Sequence, residues 1–155
     1  MKKIVLVLAL VTIIGAGTAF ADFGIGLHGG YGGLGGGAGL NLAFSNLYIY
    51  VDAFGLGGSG MNISGAVDFI QFFDGNIAAG LGWYVRLGIA AGLWGFDEEL
   101  GLAAAVRVPV GLSWKPISSI ELFLQIQPQV GLQILPDIGL WANFWGGNLG
   151  FRFWL

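Results

Sequence analysis

From residue 100 to 114 the even positions read Leu100, Leu102, Ala104, Val106, Val108, Val110, Leu112 and Trp114, and the odd ones Gly101, Ala103, Ala105, Arg107, Pro109, Gly111 and Ser113. From 120 to 133 the even positions are again apolar, Ile120 to Leu132, while Glu121, Phe123, Gln125, Gln127, Gln129, Gly131 and Gln133 take the odd ones. A period of two marks a strand with two unlike faces. Lys115-Pro116-Ile117-Ser118-Ser119 between the runs reads as a turn, which makes the pair a β-hairpin. The same alternation predicts strands near 23–33, 37–45, 47–55, 61–72, 76–93, 99–114, 119–134 and 139–155. Short turns are expected at Ser45-Asn46, at Phe73-Asp74-Gly75 and at Lys115 to Ser119. Longer loops are expected near Gly33–Gly36, Leu56–Gly60, Trp94–Glu98 and Leu135–Ile138.

Composition decides what the apolar face meets. The chain is 55% hydrophobic and 10% charged, far from an ordinary soluble domain. A water-soluble barrel would turn Leu100 to Trp114 and Ile120 to Leu132 into solvent, more apolar surface than a monomer tolerates. Glycine, charge or amide interrupts every run before it reaches the length of a spanning helix. A membrane protein without spanning helices satisfies its backbone by closing a sheet. The fold expected is therefore all-β, an eight-stranded antiparallel up-and-down transmembrane β-barrel. Lys2 and Lys3, the apolar run Ile4 to Ile14 and Ala19-Phe20-Ala21 read as a signal peptide over 1–21, cleaved after Ala21. The barrel then occupies 22–155, with the bacterial outer membrane as its location. Cleavage removes two of the six basic residues and none of the nine acids, which argues against nucleic acid as a partner. With no cysteine, thiolate metal sites, disulfides and an N-terminal lipid anchor are excluded.

If the apolar face meets lipid, the strand charges point inward. Asp52, Asp68 and Glu121 are the inward acids and Arg86, Arg107 and Arg152 the inward bases, three against three, so an internal salt-bridge network is expected. Eight strands enclose a space just wide enough for side chains to fill. Tyr48, Tyr50, Asp52 and Phe54 on strand three face Glu121, Phe123, Gln125, Gln127 and Gln129 on strand seven across the axis, and glycine and alanine on strands one, two, five and six leave room for them. That combination predicts a packed polar lumen. Trp83, Trp114, Trp141, Trp145, Trp154, Tyr31 and Tyr84 read as interfacial anchors.

Candidate chemistry is thin. Gly24 to Gly29 and Gly55 to Gly60 both spell G-x-G-x-x-G, but neither opens a helix, and dinucleotide binding is rejected. His28 is the one histidine, expected to face inward near the outer end of the first strand; alone it makes no multi-histidine metal site. Ser59 and Ser64 are the nearest nucleophiles, with nothing in the sequence to pair them with it. No catalytic residue, cofactor site or metal site is assigned. Asp97-Glu98-Glu99, beside Trp94 and Phe96, forms an acidic and aromatic loop that is a candidate interaction site.

The chain ends Leu149-Gly150-Phe151-Arg152-Phe153-Trp154-Leu155, which resembles the C-terminal strand signal read by the outer-membrane assembly machinery, with leucine where the last residue is usually aromatic. Arg107-Val108-Pro109-Val110-Gly111-Leu112-Ser113, Glu121-Leu122-Phe123-Leu124-Gln125 with Pro128, and Gly146 to Phe153 together resemble a family of small outer-membrane proteins of spirochaetes classed as a domain of unknown function. The resemblance covers roughly the C-terminal third. It implies a surface-exposed eight-stranded barrel in a family for which host-protein binding has been considered, and it carries over no catalytic residue. Three roles stay open: a structural or surface-interaction barrel, a narrow porin-like gated pore for water, ions or small solutes, and an adhesin using short acidic and aromatic loops. The partners expected are outer-membrane lipids, the assembly machinery, and host or envelope proteins.

Overall fold

The computed structural model describes residues 22–34, 37–55, 63–95 and 99–155, without the side chains of 53–55. The expected signal peptide therefore lies outside the described residues, as do Phe96, Asp97 and Glu98 and the loop serine Ser59. Every regular element among the described residues is a strand: β1 (Phe23–Tyr31), β2 (Gly37–Phe44), β3 (Leu47–Gly55), β4 (Ile63–Ala78), β5 (Leu81–Trp94), β6 (Gly101–Arg107), β7 (Val110–Ile117), β8 (Ile120–Ile126), β9 (Gln129–Leu135), β10 (Gly139–Asn143) and β11 (Gly147–Trp154). All pairings are antiparallel, and β1 pairs with both β2 and β11, so the sheet closes on itself. β6 and β7, β8 and β9, and β10 and β11 are successive halves of single long strands. The result is the expected all-β, eight-stranded antiparallel barrel with up-and-down order.

Two of the three interruptions fall at proline, which has no N–H to give the ladder. The wall holds together across them. Val108 N–H donates to the Pro128 carbonyl at 2.9 Å, Arg86 N–H to Pro109 at 2.9 Å, and Gln127 N–H to Gly146 at 2.8 Å.

The barrel has two unlike ends. At the turn end, strands are joined by Ser45-Asn46, Ala79-Gly80 and Ser118-Ser119, and the first and last strands meet where Leu155 N–H donates to Phe23 O at 2.8 Å. Longer connections lie at the loop end. Two of the expected turns are displaced. β4 runs straight through Phe73-Asp74-Gly75 to Ala78, absorbing register shifts at Asp68/Ile70, Gln71/Phe73 and Asn76/Ala78. Such bulges place extra residues in one strand and break its alternation. The reversal comes at Gly80, whose φ of 74° is the left-handed conformation glycine favours. β7 likewise continues through Pro116 to Ile117, with a register shift after Trp114.

Alternation sorts the rest of the wall. Val106, Leu124 and Val130 on the outer face are 52, 55 and 54% exposed, whereas Phe123, Gln125 and Gln129 inside are 2, 1 and 1% exposed. Three expected anchors face inward instead. Tyr84 is buried, Trp154 donates to an inner carboxylate, and Trp141 packs on the interior cluster, because each shares the parity of inward neighbours. Trp83, Trp114, Trp145 and Tyr31 are exposed on the outside.

Candidate functional site

The barrel interior gathers nearly all the polar chemistry of the wall. Asp52, Asp68, Glu121, Arg86, Arg107 and Arg152 are each 4% exposed or less. They do not pair three with three.

Asp68 and Arg107 lie on strands that are not neighbours. Both are register partners of Gly88 on the strand between them. A Cβ on Gly88 would run into the Asp68 carboxylate, so glycine lets the two side chains meet over its backbone. Arg107 Nε then lies 2.9 Å from Oδ1 and NH2 donates to Oδ2 at 3.1 Å, a two-pronged ion pair. The device recurs. Gly39 is the register partner of both His28 and Asp52, whose Nε2 and Oδ1 are 2.7 Å apart. Gly111 stands between Tyr84 and Gln125, and the Tyr84 hydroxyl donates to the Gln125 amide oxygen at 2.8 Å.

Arg152 meets its acid directly across the ladder. Its NH1 is 3.3 Å from Glu121 Oε1, and NH2 donates to the Tyr50 hydroxyl at 2.9 Å. Trp154 Nε1 donates to the other Glu121 oxygen at 2.8 Å, and the Arg152 guanidinium carbon sits 4.1 Å from the Phe123 ring centre. Among the described residues no carboxylate lies within ion-pair distance of Arg86. Its Nε donates to Gln71 at 3.3 Å, and the rings of Tyr48 and Tyr84 lie against its guanidinium.

His28, Asp52 and Ser64 do come together, in an order that is not that of a hydrolase. The Ser64 hydroxyl donates to Asp52 Oδ2 at 3.3 Å, and the carboxylate stands between serine and imidazole. A serine nucleophile needs the imidazole beside it, with the acid behind. The three residues form a hydrogen-bonded tie between β1, β3 and β4. Among the described residues no group of three or more His, Cys, Asp or Glu side chains is placed to hold a metal ion.

The inward glutamines close the loop half. Gln127 and Asn148 exchange amide hydrogen bonds at 3.2 and 3.5 Å. Gln129 accepts from Leu34 N–H and donates to Leu34 O, both at 3.1 Å, which seats the buried Leu34 side chain in the mouth of the barrel. Beside it lies a cavity of about 370 Å³ lined by Trp94, Trp141, Gln133 and Asn143. Of the acidic and aromatic loop, Trp94 is half-buried at this mouth and Glu99 is exposed. Below the glutamines, Tyr50, Phe123, Arg107 and Arg152 are all 2% exposed or less and fill the section of the barrel.

Sequence reasoning missed the Leu34 seat, the His28–Asp52 pair and the inward Tyr84. The seat depends on how a loop folds back, which alternation does not encode. The other two carried a signal: Tyr84 has the parity of Arg86, and an inward glycine between two inward polar residues marks a pair that bridges it.

These features define the class of the protein, a closed antiparallel barrel with a polar, side-chain-filled interior and an apolar outer wall. Comparison with protein-family models, with curated proteins and with solved structures found no match.

Proposed function

We propose that the chain is an integral outer-membrane protein with a closed barrel, which occupies the bilayer as a structural element and presents its loop end to the surroundings. The observation that carries this reading is the polarity of the wall. Charges and amides are buried inside while Leu27, Val106, Leu124, Ile126, Val130 and Leu149 are more than half exposed outside. Apolar outside and polar inside is the arrangement hydrocarbon requires and water penalises. The short turns then face the periplasm and the longer loops the exterior. A filled section at Tyr50, Phe123, Arg107 and Arg152 favours a sealed barrel over a conducting one.

The test is extraction and conductance together. The expressed protein is expected in the outer-membrane fraction, resistant to alkaline carbonate, with a gel mobility that changes on boiling. In planar bilayers it is expected to give no steady conductance. Release into the soluble fraction would sink the membrane reading, and discrete openings altered by Arg107→Ala would replace the sealed barrel with a pore.

A further inference from the structure

One buried cation in this interior makes no ion pair among the described residues. Arg86 is 3% exposed, and among the described residues no carboxylate lies within ion-pair distance of it. The ring centres of Tyr48 and Tyr84 lie 3.4 and 3.7 Å from the central carbon of its guanidinium, and Nε donates to Gln71. Its NH1 is buried and has no hydrogen-bond acceptor in the protein. Arg86 lines a cavity of about 300 Å³ at the turn end, together with Lys115, Ser113, Asn76 and Asp74.

A guanidinium packed against two rings and tied through Nε is held in place. It offers a fixed planar fork, which matches two oxygens of one oxyanion. Lys115 brings a second cation, with its Nζ 4.4 Å from the Trp154 ring centre. Two carboxylates also line the cavity. Glu121 is engaged by Arg152 and Trp154. Asp74 is exposed and makes no ion pair among the described residues.

We propose that this cavity binds a phosphate group, gripped by the Arg86 guanidinium, whose NH1 has no partner in the protein, and closed over by Lys115. A phosphate dianion brings more charge to the two cations than the Asp74 carboxylate does and can displace it, where a ligand carboxylate would only match it. Asp74 is the internal competitor that sets the affinity. The phosphate is either free in solution or part of a lipid headgroup. The site rests on the barrel geometry and not on its placement in a bilayer.

The full chain, purified in a neutral detergent, is titrated calorimetrically with inorganic phosphate at constant ionic strength, with chloride as control. Saturable one-site binding is expected. Arg86→Gln is expected to weaken it at least about tenfold, the scale of one charge-assisted hydrogen bond. Lys115→Ala, at the exposed rim, weakens it several-fold, and Asp74→Asn tightens it. A parallel titration with a short-chain phosphatidic acid assigns the source: tighter binding than inorganic phosphate identifies a headgroup, weaker binding a free phosphate. No saturable binding of either ligand overturns the site, as does binding that Arg86→Gln and Lys115→Ala leave unchanged. Should Arg86→Gln fail to fold, the opposite shifts of Lys115→Ala and Asp74→Asn carry the test, and their absence overturns it.

Discussion

The long hairpin made by β6 to β9 and the hairpin made by β4 and β5 start from the same two-residue repeat and end differently. In the first, inward and outward positions alternate from Gly101 to Trp114 and again from Glu121 to Leu132, through Pro109 and Pro128, with almost every residue on its expected side. In the second, β4 keeps the alternation from Ala66 to Asp68 and loses it beyond, where Phe69, Ile70, Phe72 and Phe73 are all exposed. Neighbours explain the difference. β8 and β9 are paired on both edges along their length. β3 pairs with β4 only as far as Asp68, so residues 69–78 have β5 on one edge and no strand on the other. A strand held on both edges must keep register, because a slip of one residue would send charged groups outward; a strand held on one edge can bulge.

The comparison breaks most completely by insertion. One alanine placed between Leu124 and Gln125 would turn Gln125, Gln127 and Gln129 outward and Ile126 and Val130 inward. No barrel is expected, read as the loss of the boiling-dependent gel shift. The same insertion between Asp74 and Gly75 should leave a folded barrel, because β4 already absorbs extra residues on either side, at Gln71/Phe73 and Asn76/Ala78. Equal damage at the two sites would mean that the free edge of β4 is held by something other than β5.

The same contrast explains what the sequence made legible. Strand number, closure, and the sides of Arg107, Glu121 and Gln125 followed from parity, since burial on both edges forces parity to hold. The turn at 73–75 was misplaced because Asp74-Gly75 is a good turn dipeptide by local chemistry, and bulges in an edge strand leave no periodic trace. The charge count put six residues inside and named no partners; two of its acids meet arginines, Asp52 meets His28, and Arg86 makes no ion pair among the described residues. Parity says which side a group faces, but the partner depends on which strands a glycine allows to meet.

Gly88 tests that last point. Gly88→Val would drive a side chain between Asp68 and Arg107 and leave two buried charges apart. The expected cost is about 3–5 kcal/mol, the scale of breaking a buried pair, measured by denaturant unfolding in micelles. Arg86→Met, which removes a cation that has no carboxylate to orphan, should cost much less. A larger loss at Arg86 than at Gly88 would show that stacking on Tyr48 and Tyr84 outweighs the ion pair in holding the interior.

The smallest effect compares the outer faces. Leu124 and Phe73 are 55 and 63% exposed, so water-accessible area alone predicts similar responses to a charge. Depth predicts otherwise. Leu124 lies mid-strand in a wall paired on both sides, while Phe73 lies on the part of β4 that extends past β3 toward the turn end. In a bilayer a midplane arginine costs about 2–4 kcal/mol and one near the interface about 0–1 kcal/mol. Leu124→Arg should therefore destabilise the barrel in vesicles far more than Phe73→Arg, and in detergent, where there is no midplane, the two should converge. Convergence in both media would mean that the regular wall and the bulged ribbon sit at one depth.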